Sequence, residues 1–122
     1  MTMRAMAWLV LMLAAPSVLA ASAAVREMAG ILVHLEHYPT DAEKAKLKAI
    51  VDSKDSTAQE RVLATAISNM KHKAVSDDVS KLKQVKDDAA ASAEARELAD
   101  IILGMRHMPS DSDKEKLGKL MK

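Results

Sequence analysis

A repeat of 35 residues is the feature that most constrains how this chain folds. When the sequence is compared with itself at a shift of 35 positions without gaps, the invariant columns include four that hold arginine, alanine, histidine and leucine. These columns contain Arg26, Arg61 and Arg96; Ala29, Ala64 and Ala99; His37, His72 and His107; and Leu47, Leu82 and Leu117. Three copies at this period are typical of a helical repeat, in which one unit cannot bury its apolar face without its neighbours.

Each unit is predicted to form two helices joined by a turn. The first helix of unit one has a broad apolar stripe at helical spacing, made of Met28, Ala29, Ile31, Leu32 and Leu35. The second helix has a narrower stripe, made of Leu47, Ile50 and Val51. Because a wider stripe needs more cover, we expect the first helices to form an inner layer and the second helices an outer one.

The composition indicates an all-α protein with an aliphatic core. Cys and Phe are absent, and Tyr38 is the only aromatic residue besides Trp8. The core must therefore consist of Leu, Ile, Val, Met and Ala, and Ala and Leu are strong helix formers. We predict three tandem helix–turn–helix repeats of about 35 residues with six helices in all. Two assemblies remain open, a short α-solenoid and a compact bundle with pseudo-threefold symmetry.

Capping residues predict where the helices begin. A Ser or Thr followed three positions later by an acid can satisfy two free N–H groups of a helix start. This pattern occurs at Thr40 with Glu43, Thr57 with Glu60, and Ser110 with Asp113. Ser22 and Ser92 lie in the same repeat column as Thr57 and are expected to cap the other first helices. In unit two, where Ala74 replaces the proline of the other units, Ser76 is the predicted cap.

Residues 1–20 have the pattern of a secretory signal peptide. A short segment with one positive charge, Arg4, precedes an apolar run that ends at Pro16 and a stretch of small residues. The apolar run is shorter than the roughly 20 residues that a transmembrane helix needs. We therefore expect one domain at 21–122, with units at about 22–56, 57–91 and 92–122, and a periplasmic or secreted location.

The charge balance argues against nucleic acid and anionic membranes as partners. Without residues 1–20 the chain has 17 basic and 17 acidic side chains, so its net charge is zero with neutral histidines. A neutral chain of interleaved Lys and acids has no basic face that would attract a polyanion. No membrane span is expected beyond residue 20, and the oligomeric state stays open.

The histidines that recur every 35 residues are the candidate metal ligands. Three imidazoles can hold zinc, and imidazole also suits copper, so His37, His72 and His107 would form a site if the repeat closes on itself. The competing and favoured interpretation is structural: each imidazole follows a first helix, where it can bond the last free carbonyls. His34 has no counterpart in the other units and is expected at the surface. The repeated Arg26, Arg61 and Arg96 are expected to pair with acids of the outer helices.

No motif indicates catalysis or a bound cofactor. The sequence has no nucleophile elbow, no Gly-rich phosphate loop and no His-Glu-x-x-His segment, so we expect no enzyme activity. The favoured function is an exported helical-repeat module of the bacterial envelope that binds a protein partner or has a structural role. The alternative is periplasmic binding of zinc or copper by the repeated histidines.

Overall fold

A computed structural model describes residues 21–122 and contains six α-helices and no β-strand in that range. The inner helices are α1 (Ala23–Val33), α3 (Ala58–Asn69) and α5 (Ala93–Gly104). The outer helices are α2 (Asp41–Asp52), α4 (Ser76–Asp87) and α6 (Asp111–Leu120). Equivalent helices begin 35 residues apart, so the sequence repeat is also the structural repeat. The predicted signal peptide, residues 1–20, lies outside the described part.

The repeat closes into a ring, which decides between the two assemblies in favour of the compact bundle. The inner helices α1, α3 and α5 all contact one another. Outer helix α2 packs mainly on α3, and α4 packs mainly on α5, so each outer helix covers the inner helix of the following unit. Helix α6 packs on α1 in the same way, and this contact joins the last unit to the first.

Burial confirms the predicted inner and outer layers. Each inner helix buries five residues, whereas each outer helix buries two apolar ones, for example Leu47 and Ile50 of α2. The buried apolar residues are all Val, Met, Ala, Ile or Leu, as the composition predicts. Met70 and Met105 are core residues, while Met108 in the turn is exposed. Met121, which follows the end of α6, is also exposed.

The predicted caps are present with one exception. Thr40, Thr57 and Ser110 form complete capping boxes with the acids three residues later, and Ser22 and Ser92 cap α1 and α5. The prediction for Ser76 was wrong. Helix α4 keeps the register of its counterparts, so Val75 is its N-cap and Ser76 is its first helical residue, without a side-chain cap.

Two buried acids connect elements of the bundle. Glu60 accepts a hydrogen bond of 2.5 Å from the hydroxyl of Ser22, which ties α3 to the start of α1. Asp78 of α4 accepts one of 3.1 Å from the amide of Asn69 at the end of α3. Because both carboxylates accept hydrogen bonds, their burial links neighbouring elements without leaving the buried carboxylate groups unsatisfied. Among residues 21–122, no helix has the length and apolar character needed to cross a bilayer.

Candidate metal centre

Ring closure brings the three repeated histidines together at one end of the bundle. The ring centroids of His37, His72 and His107, which we call the imidazole trio, are 4.9, 4.9 and 5.3 Å apart, with the rings edge to face. Nδ1 of His72 lies 3.0 Å from Nδ1 of His37 and 3.0 Å from Nδ1 of His107. One ligand atom from each of the three residues lies within 4.8 Å of the others. All three side chains are exposed to solvent.

The main chain of the same residues forms a closed triangle of hydrogen bonds. The N–H of His72 donates to the carbonyl of His37 at 2.6 Å, and that of His107 donates to the carbonyl of His72 at 2.5 Å. The N–H of His37 donates to the carbonyl of His107 at 2.6 Å, which completes the triangle. Each histidine therefore donates once and accepts once, and the three units are held in a fixed arrangement at this end.

Each histidine adopts a backbone conformation that is costly for an L-residue. Their φ angles are 67°, 68° and 63°, and no other residue described by the structure has a positive φ, glycine included. A left-handed conformation costs about 1–2 kcal/mol for a residue with a Cβ, although His tolerates it better than most. Strain of this kind is concentrated at functional sites. Its recurrence at the same column in all three units shows that the turn itself requires it.

Backbone hydrogen bonds join the two residues on either side of each histidine and tighten the turn. Tyr38 N–H donates to the Glu36 carbonyl at 2.7 Å, and Met108 N–H donates to the Arg106 carbonyl at 2.6 Å. In unit two the bond runs the other way, from Lys71 N–H to the Lys73 carbonyl, at 3.2 Å. Such bonds across a single residue bend the chain sharply and direct it back along the bundle. The imidazole at the tip of each turn is thereby placed next to the other two.

The imidazoles do not bond the last carbonyls of the inner helices in the part of the chain that the structure describes. Those helices end with short backbone bonds, such as Met70 N–H to the Ile67 carbonyl, and His72 lies two residues farther on. In unit three, Arg106 bonds the carbonyls of Leu103 and Met105. The expected capping role therefore belongs there to an arginine, because the histidine lies beyond the reach of its helix end.

The distances between the Nδ1 atoms match those of ligands on one metal ion. Zinc–nitrogen bonds are about 2.0–2.1 Å long, so two nitrogens that subtend about 90–109° at the metal lie about 2.8–3.4 Å apart. The two Nδ1 pairs at 3.0 Å fall within that range. Two of the three nitrogen pairs are therefore spaced as ligands of one ion are, and the ligand atoms of all three residues lie within 4.8 Å of one another.

The protons of the trio give a second reason to expect a cation. A neutral imidazole nitrogen either carries a proton or offers a lone pair. Nδ1 of His72 faces two other Nδ1 atoms, so its single proton or single lone pair would have to be shared between them. A metal ion would remove this conflict by accepting the lone pairs of all three Nδ1 atoms, with the ring protons on Nε2.

The other candidate residues do not join this site. His34 is exposed and ends α1, as expected for a surface residue. The repeated arginines form none of the ion pairs seen in residues 21–122, so the expected pairing with outer-helix acids was wrong. Arg61 instead donates to the carbonyls of Val51 and Ser53 and so caps the end of α2.

Arg96, the counterpart of Arg61 in unit three, lies close to Asp88 at the end of α4. Asp88 accepts hydrogen bonds from the Gln59 amide at 3.0 Å and the Ala90 N–H at 2.8 Å. These bonds, with a smaller contribution from the charge of Arg96, hold the pKa of Asp88 below its usual value of 3.8. The charge of Arg96 thus favours the ionised form of Asp88 at the end of α4.

Side chains that the sequence analysis did not single out surround the trio. The residues next to the histidines are Glu36, Tyr38, Lys71, Lys73, Arg106 and Met108, three of them basic and one acidic. Tyr38 and Met108 are 60% and 50% exposed although large and apolar. Adjacency to the repeated histidines was the available signal for this set.

Comparisons with protein-family models, with curated proteins and with solved structures find no match to this chain.

Proposed function

We propose that this protein binds one divalent transition-metal ion, zinc or copper, through His37, His72 and His107. The observation that carries the proposal is the pair of 3.0 Å distances that join the three Nδ1 atoms. Neutral imidazole is a preferred ligand of both metals, and three imidazoles are a known ligand set for zinc. Copper(II) is expected to bind more tightly than zinc, because affinities of nitrogen sites generally follow that order.

The closed ring favours this function over partner binding. An open repeat array offers the apolar faces of its inner helices to a partner. Here those faces are buried against one another, and Leu32, Ile67 and Ile102 have no exposed surface. The closed ring instead concentrates its unusual features, the strained backbone and the convergent nitrogens, at the imidazole trio. We place this metal-binding role in the bacterial envelope, on the basis of the signal-like residues 1–20.

Native mass spectrometry of the purified protein with added zinc tests the proposal. We expect one zinc ion per chain. The variant His72→Asn removes a ligand nitrogen but keeps a residue type that tolerates a positive φ. It is expected to weaken zinc binding by at least about 100-fold, since loss of an outer-shell partner alone costs about 10–100-fold.

The matched control is His34→Ala, which removes an exposed histidine outside the trio. This control should keep one zinc ion per chain, and circular dichroism should show that both variants are folded. Unchanged zinc affinity in folded His72→Asn would overturn the proposal. Loss of zinc binding in His34→Ala would indicate that the zinc site is not formed by the trio alone.

A further inference from the structure

The candidate centre leaves part of a bound metal's coordination sphere to an outside ligand. Its three nitrogens come from one side, the end of the bundle, and the side chains that supply them are exposed. Closed structural zinc sites have four protein ligands, whereas sites with three histidines keep a position for water or another ligand. In residues 21–122, the only clustered candidate ligands among His, Cys, Asp and Glu are the three histidines. An ion held there therefore faces solvent with at least one exchangeable position.

A groove of about 660 Å³ begins at one of these ligands. It is lined by His72, Tyr38, Lys44 and Lys71, together with residues at the end of α3. Its charged side chains, Lys44 and Lys71, are both basic, and no acid lines it. Tyr38 adds the one phenol ring of the described residues and is largely exposed. The groove thus combines a metal ligand, two cations and an aromatic surface.

We infer that this groove, which we call the Tyr38 groove, binds an organic anion that also fills the open position of the metal. This inference rests on the proposed metal site. A bound dication and two lysines together attract negative charge, which neither the neutral chain as a whole nor the lysines alone would do strongly. Oxygen anions such as phosphonates and phosphate monoesters can ligate zinc or copper while a second oxygen meets a lysine ammonium. An aromatic substituent would pack on Tyr38.

A second basic groove of about 790 Å³ lies next to this one and provides an internal control. Lys71 lines both grooves, but Lys44 lines only the Tyr38 groove and Lys83 only the second one. In the second groove Lys86 is already paired with Asp100 at 2.8 Å, and Asp87 adds negative charge. The second groove is also not lined by any residue of the trio. These differences favour the Tyr38 groove for a ligand that reaches the metal.

The experiment uses protein loaded with cobalt(II), whose visible spectrum reports the ligands of the metal. Azide is the first probe, because it needs only an open coordination position, and phenylphosphonate is the second, because it can also contact the groove. We expect both anions to change the cobalt spectrum. Lys44→Gln should weaken phenylphosphonate binding about 2–5-fold, the upper part of the range expected for loss of one exposed charged contact. The same variant should change azide affinity less than about twofold.

Each outcome separates the groove from the metal site. If cobalt is bound by the wild type and lost in His72→Asn, but neither anion changes its spectrum, the metal proposal survives and the groove inference fails. If phenylphosphonate affinity falls in Lys83→Gln and not in Lys44→Gln, the anion occupies the other groove and the inference is overturned. Azide and phenylphosphonate responses that fall equally in Lys44→Gln would also overturn it, because the lysine would then act only through the charge at the metal. Failure of both cobalt and zinc to bind at the trio refutes the proposed function itself.

Discussion

The His72→Gly variant should be at least as stable as the wild type without metal, and zinc should make the wild type the more stable of the two. Glycine adopts a φ near 68° without the cost of about 1–2 kcal/mol that a residue with a Cβ pays. Its greater freedom in the unfolded chain offsets about 0.5–1 kcal/mol of that relief. The metal-free His72→Gly variant is therefore expected to be as stable as the wild type or up to about 1.5 kcal/mol more stable. The main-chain triangle is retained, because glycine keeps both its N–H and its carbonyl.

Zinc should change this order because only the wild type has all three ligands. The ligands are separated by 35 residues of chain, so the unfolded protein has no preformed site and zinc stabilises the folded state. At a free zinc concentration 100 times Kd, this linkage amounts to about 2.7 kcal/mol. For a domain of this size it corresponds to a rise in Tm of about 10–20 °C. The glycine variant should show little of this rise.

The assay is urea unfolding followed by circular dichroism, once with chelator and once with buffered zinc. His72→Ala serves as the matched variant, since it lacks the imidazole but retains a Cβ at the strained position. Without metal it should be about 1 kcal/mol less stable than His72→Gly, and zinc should stabilise neither variant. A wild type that is more stable than His72→Gly by the same margin with and without zinc would refute the reasoning. Equal stabilities of the alanine and glycine variants would show that the turn stores no strain.

Three further predictions concern the bundle itself. Leu98→Ala, at a position with no exposed surface, should lower the free energy of unfolding by about 2–5 kcal/mol in urea titrations; a loss below about 1 kcal/mol would contradict its place in the core. Thr57→Ala should cost about 1 kcal/mol in the same assay because it removes a capping box, whereas Ser76→Ala should be nearly neutral because Ser76 caps nothing. The Gln59 hydrogen bond lowers the pKa of Asp88 in the folded protein below its usual value of 3.8. This bond therefore contributes its full stability at pH values above 3.8, and the contribution is lost as the pH falls through the lower pKa of the folded state. Asp88→Asn should therefore flatten the acid side of the stability profile, and an unchanged slope below about pH 4 would count against this role.

The sequence was sufficient to predict the helices and their layers. Helix starts follow from local chemistry, since Thr57 and Glu60 cap a helix whatever it packs against. The inner and outer layers follow from stripe width, because the broad stripe of α1 has more apolar surface to bury than that of α2. The cap at Ser76 was predicted incorrectly because the register of α4 is set by its packing on α5, and this constraint overrode the preference of one serine.

Ring closure and the geometry of the candidate site could not be predicted from the sequence alone. A solenoid and a ring use the same repeat, and contacts between the first and last units, such as that of α6 with α1, distinguish them. The histidine column is visible in the sequence, but the left-handed φ angles of its residues depend on bonds between units. Lys44 lies seven residues after His37 in sequence, and its place beside His72 arises only when unit one packs on unit two.

The packing of each outer helix on the following unit makes the three units interchangeable in principle. A peptide that contains only one unit would have an uncovered inner helix and an outer helix with nothing to cover. Three copies of that peptide could meet both needs at once, each lending its second helix to the next, as α2, α4 and α6 do within this chain. The imidazole trio would then lie on a true symmetry axis, with one histidine from each peptide. The covalent chain thus has the arrangement of a cyclic homotrimer with its subunits joined, and its three turns carry different residues around a shared centre.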